Sequence, residues 1–361
     1  MKITIDIRML KASGIGVYIQ NLVPRIIRMR PGDEFTLLGK GGEYAEWREA
    51  HSPNTRFVEC DSPIYSLMEQ IDVSVKIPND TDLFWSPHYV IPLLYGGRLL
   101  ATVHDLFHLA MPQFVGGFLK KTYAKVMFGQ AAKKASGIAV ISEFTKKELI
   151  RFTGVGPEKI QVTPLGIDSS LLNFVRKESP NPKPYFLFVG NIKPHKNLGR
   201  LLEAFALVKD KVPHDLILVG QREGFLTGDS EVQQKAESFG DRVKFTGRVE
   251  RESLNQYYAH AEALVFPSLY EGFGLPPLEA MACGCPVVTS NAASIPEVCG
   301  DAVLYFDPLN PPDIAEKMMK LLTDKKLRDG FIQKGLKKTK QYSWDNCAEQ
   351  TSALMDKILA T

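Results

Sequence analysis

A chain of 361 residues is too long for one ordinary hydrophobic core and suits two domains of roughly 150 to 200 residues. With 44% apolar and 24% charged residues and no low-complexity run, the composition excludes a disordered protein. The formal charge of +3 is too small for a nucleic-acid footprint, so no nucleic-acid partner is expected, and no apolar run approaches the roughly 18 residues that span a bilayer. The amino end, MKITIDIRML, alternates polar with apolar residues instead of forming a signal core, so a cytoplasmic protein is expected. Five cysteines (Cys60, Cys283, Cys285, Cys299, Cys347) without a C-x-x-C pair suggest neither a disulfide framework nor a zinc knuckle, and are expected to be reduced and mostly buried.

Strand-like runs alternate with helical-period segments throughout, which predicts an α/β architecture with mostly parallel sheets. In the first half the strands are KITIDI, FTLLG, RFVEC, DLFWSP, LLATVH and GIAVIS. The first is followed by KASGIGVYIQNL (11–22), a glycine turn into an amphipathic helix. There Gly14 and Gly16 either admit a phosphate or sugar to the helix amino end or simply make a tight turn. Ile19 stands where a dinucleotide fingerprint needs its third glycine. LLATVHDLFHL (99–109) superficially matches a zinc-protease motif, but LLATV reads as a strand ending at His104, which separates His104 from His108 and argues against a metal site. His104 at a strand's carboxyl end is placed either to bond a sugar or to serve the core.

Charge is distributed unevenly. Of the 44 basic and 41 acidic side chains, 20 and 17 lie in residues 1–168, so the whole excess is there. Between Asp105 and Glu143 stand Lys120, Lys121, Lys125, Lys133 and Lys134 with no acid, interleaved with Phe118, Tyr123, Met127 and Phe128. This is either a solvated helix face or a face that rests on anionic lipid. After VTPLGID (162–168) comes KESPNPKP, a stretch resistant to regular structure, so the domain boundary is placed near 170.

The second half contributes the strands YFLFVG, DLILVG, VKFTG, ALVFPS and PVVTS. In FVGNIKPHKNLGRLLEAF (188–205), Lys193 and Lys196 project from a strand-to-helix loop. They either neutralise a departing diphosphate or are merely exposed. In EGFGLPPLEAMACGCPVV (271–288), Glu271 lies in a loop and Glu279 is expected in the first turn of a helix opened by Pro276 and Pro277. Gly272 and Gly274 let the backbone approach a ligand, and a carboxylate in that turn can accept from a pair of hydroxyls such as a ribose offers. The plain alternative is that Glu279 complements the helix dipole and Glu271 is solvated.

Together these pieces resemble the family-four group of retaining glycosyltransferases with the two-domain GT-B fold. SGIGVYIQNL, HD, ISEFTKKEL, PLGID, VGNIKPHKNL, FTGRV, PSLYEGFGLPPLEAMACGCPVVTSN, IPEVCGDAVLYFDP and YSWDNCAEQTSALMDKIL occur in family order over nearly the whole chain. The resemblance implies an acceptor-binding Rossmann-like domain (1–170) and a nucleotide-sugar-binding one (171–343), both doubly wound and facing a cleft. A helix at 344–361 would then return to the first domain. It implies Glu279 on the ribose hydroxyls, Glu271 on the donor sugar, and the backbone of Gly272, Phe273, Gly274 and Leu275 around sugar and phosphates. It further implies Lys196 on the diphosphate, Arg248 and Val249 near the base, Gly14 and Gly16 on the diphosphate, and His104 on the donor sugar. Asn191 and Val17 stand where relatives carry arginine, and Lys193 or His195 is the candidate substitute for the first.

The same resemblance implies transfer with retained configuration, without metal or other cofactor, from a nucleotide sugar to a saccharide or lipid-linked saccharide in cell-surface polysaccharide synthesis. GDP-mannose is the first expectation because GNIKPHKNL is similar to the version in bacterial mannosyl- and rhamnosyltransferases. A lipid-linked acceptor would give Lys120, Lys121 and Lys125 a peripheral membrane role on the inner face of the cytoplasmic membrane. Two other readings remain: a catalytically impaired sugar-nucleotide-binding protein of the same fold, and an NAD-dependent oxidoreductase.

Overall fold

Apolar runs long enough to be buried on both faces build two parallel sheets, one in each of two units. The computed structural model describes residues 1–172, 174–220 and 230–361. The first unit is Met1–Gly166 with Ser343–Thr361, and the second is Ile167–Tyr342.

The sheet of the first unit comprises β1 (Lys2–Asp6), β2 (Glu34–Gly39), β3 (Thr55–Glu59), β4 (Leu83–Ser86), β5 (Leu99–Val103), β6 (Gly137–Val140) and β7 (Ile160–Val162). Its spatial order is β3-β2-β1-β4-β5-β6-β7, with every pairing parallel. The second sheet comprises β8 (Tyr185–Val189), β9 (Asp215–Val219), β10 (Val243–Gly247), β11 (Ala263–Phe266), β12 (Val287–Ser290) and β13 (Leu304–Phe306). Its order is β10-β9-β8-β11-β12-β13, again all parallel. All eleven expected strands are present. The two that sequence patterning does not mark, β7 and β13, are three-residue strands at sheet edges, too short for a periodic signal.

Every residue of β8, β9, β11 and β12 is buried, as expected for strands covered by helices on both faces. Phe186, Phe188, Leu201, Leu202, Phe205 and Met318 meet in the core on one face of the second sheet. Phe84, Met127, Phe128, Ile138 and Leu149 do so in the first unit. Each fully buried side chain of this size stabilises the fold by about 1.5–3 kcal/mol.

The helix Trp344–Leu359, capped by Ser343, belongs to the first unit. It lies along the helix Ile15–Met29 through Arg25–Asp345 (2.8 Å), Arg30–Asp356 (2.7 Å) and an edge contact between Tyr18 and Trp344. Four cysteines are buried, Cys283 is half-buried, and all five are free thiols. No helix among the described residues is long and apolar enough to cross a membrane.

The winding direction reverses between β1 and β4 in the first sheet and between β8 and β11 in the second. At such a point the connecting loops part on opposite faces and leave a crevice at the carboxyl ends of the strands. The candidate residues fall on those ends.

Candidate active site

In the second unit, the loops after β8 and β11 flank the reversal. The first carries a short turn, Pro194–Lys196, followed by Asn197 in the left-handed conformation (φ 61°) and the helix Leu198–Val208. Asparagine tolerates that backbone better than most residues, and here its side chain ties the two loops together. Its Nδ2 donates to the carbonyls of Pro267 (3.1 Å) and Pro308 (2.7 Å), while Leu269 N donates to the His195 carbonyl (2.8 Å). The result is that Lys196 Nζ meets Glu271 Oε1 at 2.5 Å, each side chain retaining about 15% and 14% of its exposure, with the ammonium 5.6 Å from the centre of the Phe266 ring. The Glu271 segment is held from behind, because Ser294 Oγ donates to the Glu271 carbonyl and Ser290 Oγ to that of Ser268.

Beyond Glu271 the chain turns at Gly274 (φ 101°), a conformation natural to glycine, and enters the helix Leu275–Ala282. Pro276 and Pro277 carry no N–H, so the donors at this end belong to residues 272 to 275. Phe273 is buried, its ring edge-on to Tyr342. Glu279 is the fifth residue of this helix and lies in the second turn. The expected first-turn position is corrected: the helix begins at Leu275 with the prolines second and third, and its first turn holds no acid. This removes the simple dipole-complement reading, since that effect fades beyond the first turn.

Glu279 accepts from the Tyr258 hydroxyl at 3.0 Å, and Tyr258 is fully buried on the helix Arg251–His260. Burial raises the Glu279 pKa above the ordinary carboxylate value, opposed by the charge of Arg251, which itself pairs with Asp168 at 3.5 Å. Glu271 and Glu279 thus have separate partners. Arg248 and Val249 follow β10 on the same strand-end edge, Arg248 exposed and Val249 half-buried. Lys193 is exposed, whereas His195 is buried in the inter-loop contact.

In the first unit, Gly14 is exposed at the amino end of its helix, while Gly16 is buried in the first turn. A Cβ at residue 16 would lie 2.5 Å from the Leu10 carbonyl oxygen, so this glycine is required by the loop's own packing. His104 immediately follows β5. Its Nε2–H donates to the Pro87 carbonyl (2.9 Å), and Tyr18 packs edge-on at 4.8 Å. Burial lowers its pKa, keeping the ring neutral at pH 7 and leaving Nδ1 as an acceptor. His108 sits instead on a short helix, Phe107–Ala110, and no cluster of three or more metal-type side chains occurs among the described residues.

Asn197, Tyr258 and Ser294 are not singled out by sequence alone. Asn197 carries a usable signal, a turn-forming residue directly between Lys196 and an apolar helix. The other two act across 21 and 23 positions of chain, and only the fold reveals such pairings.

Comparison with known proteins identifies the family. Residues 172–338 match the family model "Glycosyl transferases group 1", and residues 12–171 match "Glycosyltransferase Family 4". The chain is 33% identical to O-antigen chain mannosyltransferase B of Escherichia coli over 74% of this chain and 72% of that protein. It is 31% identical to the O-antigen chain mannosyltransferase RfbU of Salmonella typhimurium over 68% and 66%. Among solved structures, a sucrose-phosphate synthase from Thermosynechococcus elongatus superposes with a TM-score of 0.80 at 20% identity, covering 100% of this chain and 99% of that one. These relationships set aside the oxidoreductase reading, and the chain belongs to the group 1, family 4 glycosyltransferases with the GT-B fold.

Proposed function

We propose that the protein transfers mannose from GDP-mannose, with retention at the anomeric carbon and without a metal ion, to a saccharide or lipid-linked saccharide of a cell-surface polysaccharide. The observation that carries this reading is the Lys196–Glu271 contact at the reversal point of the second sheet, beside a helix end whose N–H donors are confined to residues 272 to 275. The mannosyltransferase relatives support the choice of sugar.

In the free protein each charge of the pair is compensated by the other. A nucleotide sugar offers both a better partner: Lys196 moves to the diphosphate, and Glu271 accepts from hydroxyls of the donor sugar. Backbone N–H groups of residues 272 to 275 and the positive helix end hold the phosphates. As the glycosidic bond breaks, negative charge grows on the departing phosphate oxygen, and a prepositioned ammonium stabilises that charge more than the ground state. Lysine and the helix end together replace a divalent cation. The acceptor hydroxyl attacks from the face of departure and loses its proton to the leaving phosphate, so no side chain is assigned as covalent nucleophile. Glu279, with one oxygen on Tyr258, uses the other on the ribose hydroxyls; Arg248 and Val249 lie toward the base. In the first unit, His104 accepts from a sugar hydroxyl through Nδ1.

The test is product analysis with GDP-mannose and a panel of mannose-terminated saccharides in EDTA. The expected result is an α-linked mannoside from the α-linked donor. A β-linked product, or turnover that appears only with added divalent metal, overturns the mechanism. Transfer from another sugar nucleotide overturns the donor assignment alone.

A further inference from the structure

Large apolar side chains are exposed unevenly over the molecule. Of the sixteen such side chains found exposed among the described residues, nine lie between Tyr65 and Val126. On the helix Leu67–Lys76, Glu69 and Val73 face the core, and the opposite face carries Leu67, Ile71 and Val75, spaced four apart and 82%, 53% and 78% exposed. An amphipathic surface helix places polar residues there; this one turns an apolar face outward and buries Glu69 beside Val73 on the inner one. A second helix, Phe118–Lys134, opens with Phe118 and Leu119, 80% and 82% exposed. The two helices adjoin: the Tyr123 hydroxyl donates to Glu69 Oε1 at 2.6 Å, and Val73 shares a core with Ala124, Met127 and Phe128.

The unpaired charges around Phe118 and Leu119 on the second helix are lysines. No acid occurs from 106 to 142, and Lys120 and Lys125 are exposed beside Phe118 and Leu119, with Lys121 half-exposed. The acids of the first helix are already engaged: Glu69 is turned inward to Arg8 and Tyr123, and Asp72 pairs with Lys76 at 3.0 Å. Lys134 is likewise turned inward, donating to the Leu93 and Tyr95 carbonyls.

We infer that these two helices form a docking surface for an anionic lipid bilayer, in which the outward apolar side chains enter the acyl boundary and Lys120, Lys121 and Lys125 bind lipid phosphates. Charge complementarity selects this occupant. A second copy of the chain meeting the first through the same patch would set lysines against lysines, with the nearest helix carboxylate, Asp72, already held by Lys76. A bilayer offers apolar depth and negative charge together. The inference does not depend on the donor reading, because none of these residues belongs to the second unit.

Flotation of the full chain with vesicles tests it, using phosphatidylcholine alone and phosphatidylcholine with about one-third phosphatidylglycerol, at about 0.15 M salt. Binding is expected only with the anionic vesicles. Replacing Lys120, Lys121 and Lys125 by Gln should weaken it on the order of a hundredfold, from about fivefold per lysine near a charged surface. The apolar triple variant Ile71→Ser, Phe118→Ser, Leu119→Ser should weaken it at least about tenfold. All six positions lie on the outer faces of their helices, so unfolding midpoints should stay close to the parent. A polarity-sensitive dye on Leu67→Cys should shift to the blue on binding, a readout independent of variant folding. Absence of flotation with anionic vesicles overturns the inference. So does binding that the apolar variant and the dye do not register, since lysine adsorption alone would explain it. A dimer in solution that the apolar triple dissolves, without vesicle binding, assigns the patch to a second copy instead.

Discussion

The two sheets share one architecture but differ in how their polar groups are satisfied at the reversal point. In the first unit, Arg8 is buried between Asp6 at 2.7 Å and Glu69 at 3.2 Å, and burial keeps His88 and His104 neutral, with Tyr65 and the Pro87 carbonyl as respective partners. Those charges are compensated internally. In the second unit, Lys196 and Glu271 compensate each other, keep part of their exposure, and stand beside a helix amino end. A buried, fully bonded charge network is expensive to rearrange, whereas a partly solvated pair exchanges partners at modest cost. An anionic leaving group therefore belongs with the second unit, where the ammonium and the helix amino end stand together.

The largest expected effect is at the exchangeable pair. Lys196→Ala should lower kcat by about 10³-fold, equivalent to about 4 kcal/mol of transition-state stabilisation, while the unfolding midpoint changes little. Parallel losses of folding and turnover would make Lys196 a structural residue and erase the contrast between the units. Next comes the residue that assembles the pair. Asn197→Ala leaves two backbone carbonyls without their donor and puts alanine at φ 61°, which should cost about 2–4 kcal/mol of stability. It should also lower kcat by up to about a hundredfold through misplacement of Lys196. Asn197→Gly relieves the backbone but not the lost bonds, so it should regain stability without regaining kcat; full recovery of both would show that only the backbone matters.

A smaller effect is expected at Glu279. Glu279→Gln should weaken nucleotide binding about tenfold, roughly 1.4 kcal/mol. Because burial raises the Glu279 pKa, wild-type affinity should decline as pH falls through that raised value, and the glutamine variant should be flat there. Folding responds in the opposite sense. A raised carboxylate pKa contributes stability that is full below about 4.5 and is lost as pH rises through the folded value. At neutral pH the free Glu279→Gln protein should accordingly be slightly more stable than its parent, and calorimetry that finds it destabilised would contradict the assignment of burial as the main cause.

The smallest effect is a difference in acid sensitivity, since burial lowers the pKa of both His88 and His104 in the first unit, against that of the half-buried His214 in the second. The lowered pKa values of His88 and His104 contribute stability that is full above about pH 6.5 and is lost as pH falls, by up to about 1.4 kcal/mol per pH unit for each ring. Hydrogen exchange at mildly acidic pH should show β4 and β5 loosening before β8 and β11. The reverse order would contradict the compensated character of the first unit.

Much of this is legible in the sequence because the fold is periodic and the site sits at strand ends. Apolar or alternating runs mark every strand of four residues or more, and glycine with proline marks the loops that carry Glu271 and Lys196. Other features leave no local trace. Glu279 falls in the second turn because the two prolines sit one residue deeper than expected, a shift of the kind that helix boundaries commonly show. Gly16 has the pattern of a ligand glycine, yet the Leu10 carbonyl lies against it, and close approach between neighbouring loop segments has no compositional signature. The apolar outer face of Leu67–Lys76 stands in plain view in the sequence, but an apolar residue reveals its exposure only when the opposite face is known to fill the core.

The central claim is that the second unit's strand ends grip a sugar nucleotide through Lys196 and Glu279. The most direct measurement is thermal stabilisation in EDTA by GDP-, UDP-, dTDP- and ADP-linked sugars, with the parent protein beside Glu279→Gln and Lys196→Ala. At about 100 times its dissociation constant a ligand adds about 2.7 kcal/mol, a shift of several degrees. The account predicts that GDP-mannose produces this shift in the parent and a clearly smaller one in both variants. A panel that leaves the parent unmoved, or a shift that both variants retain in full, would contradict it.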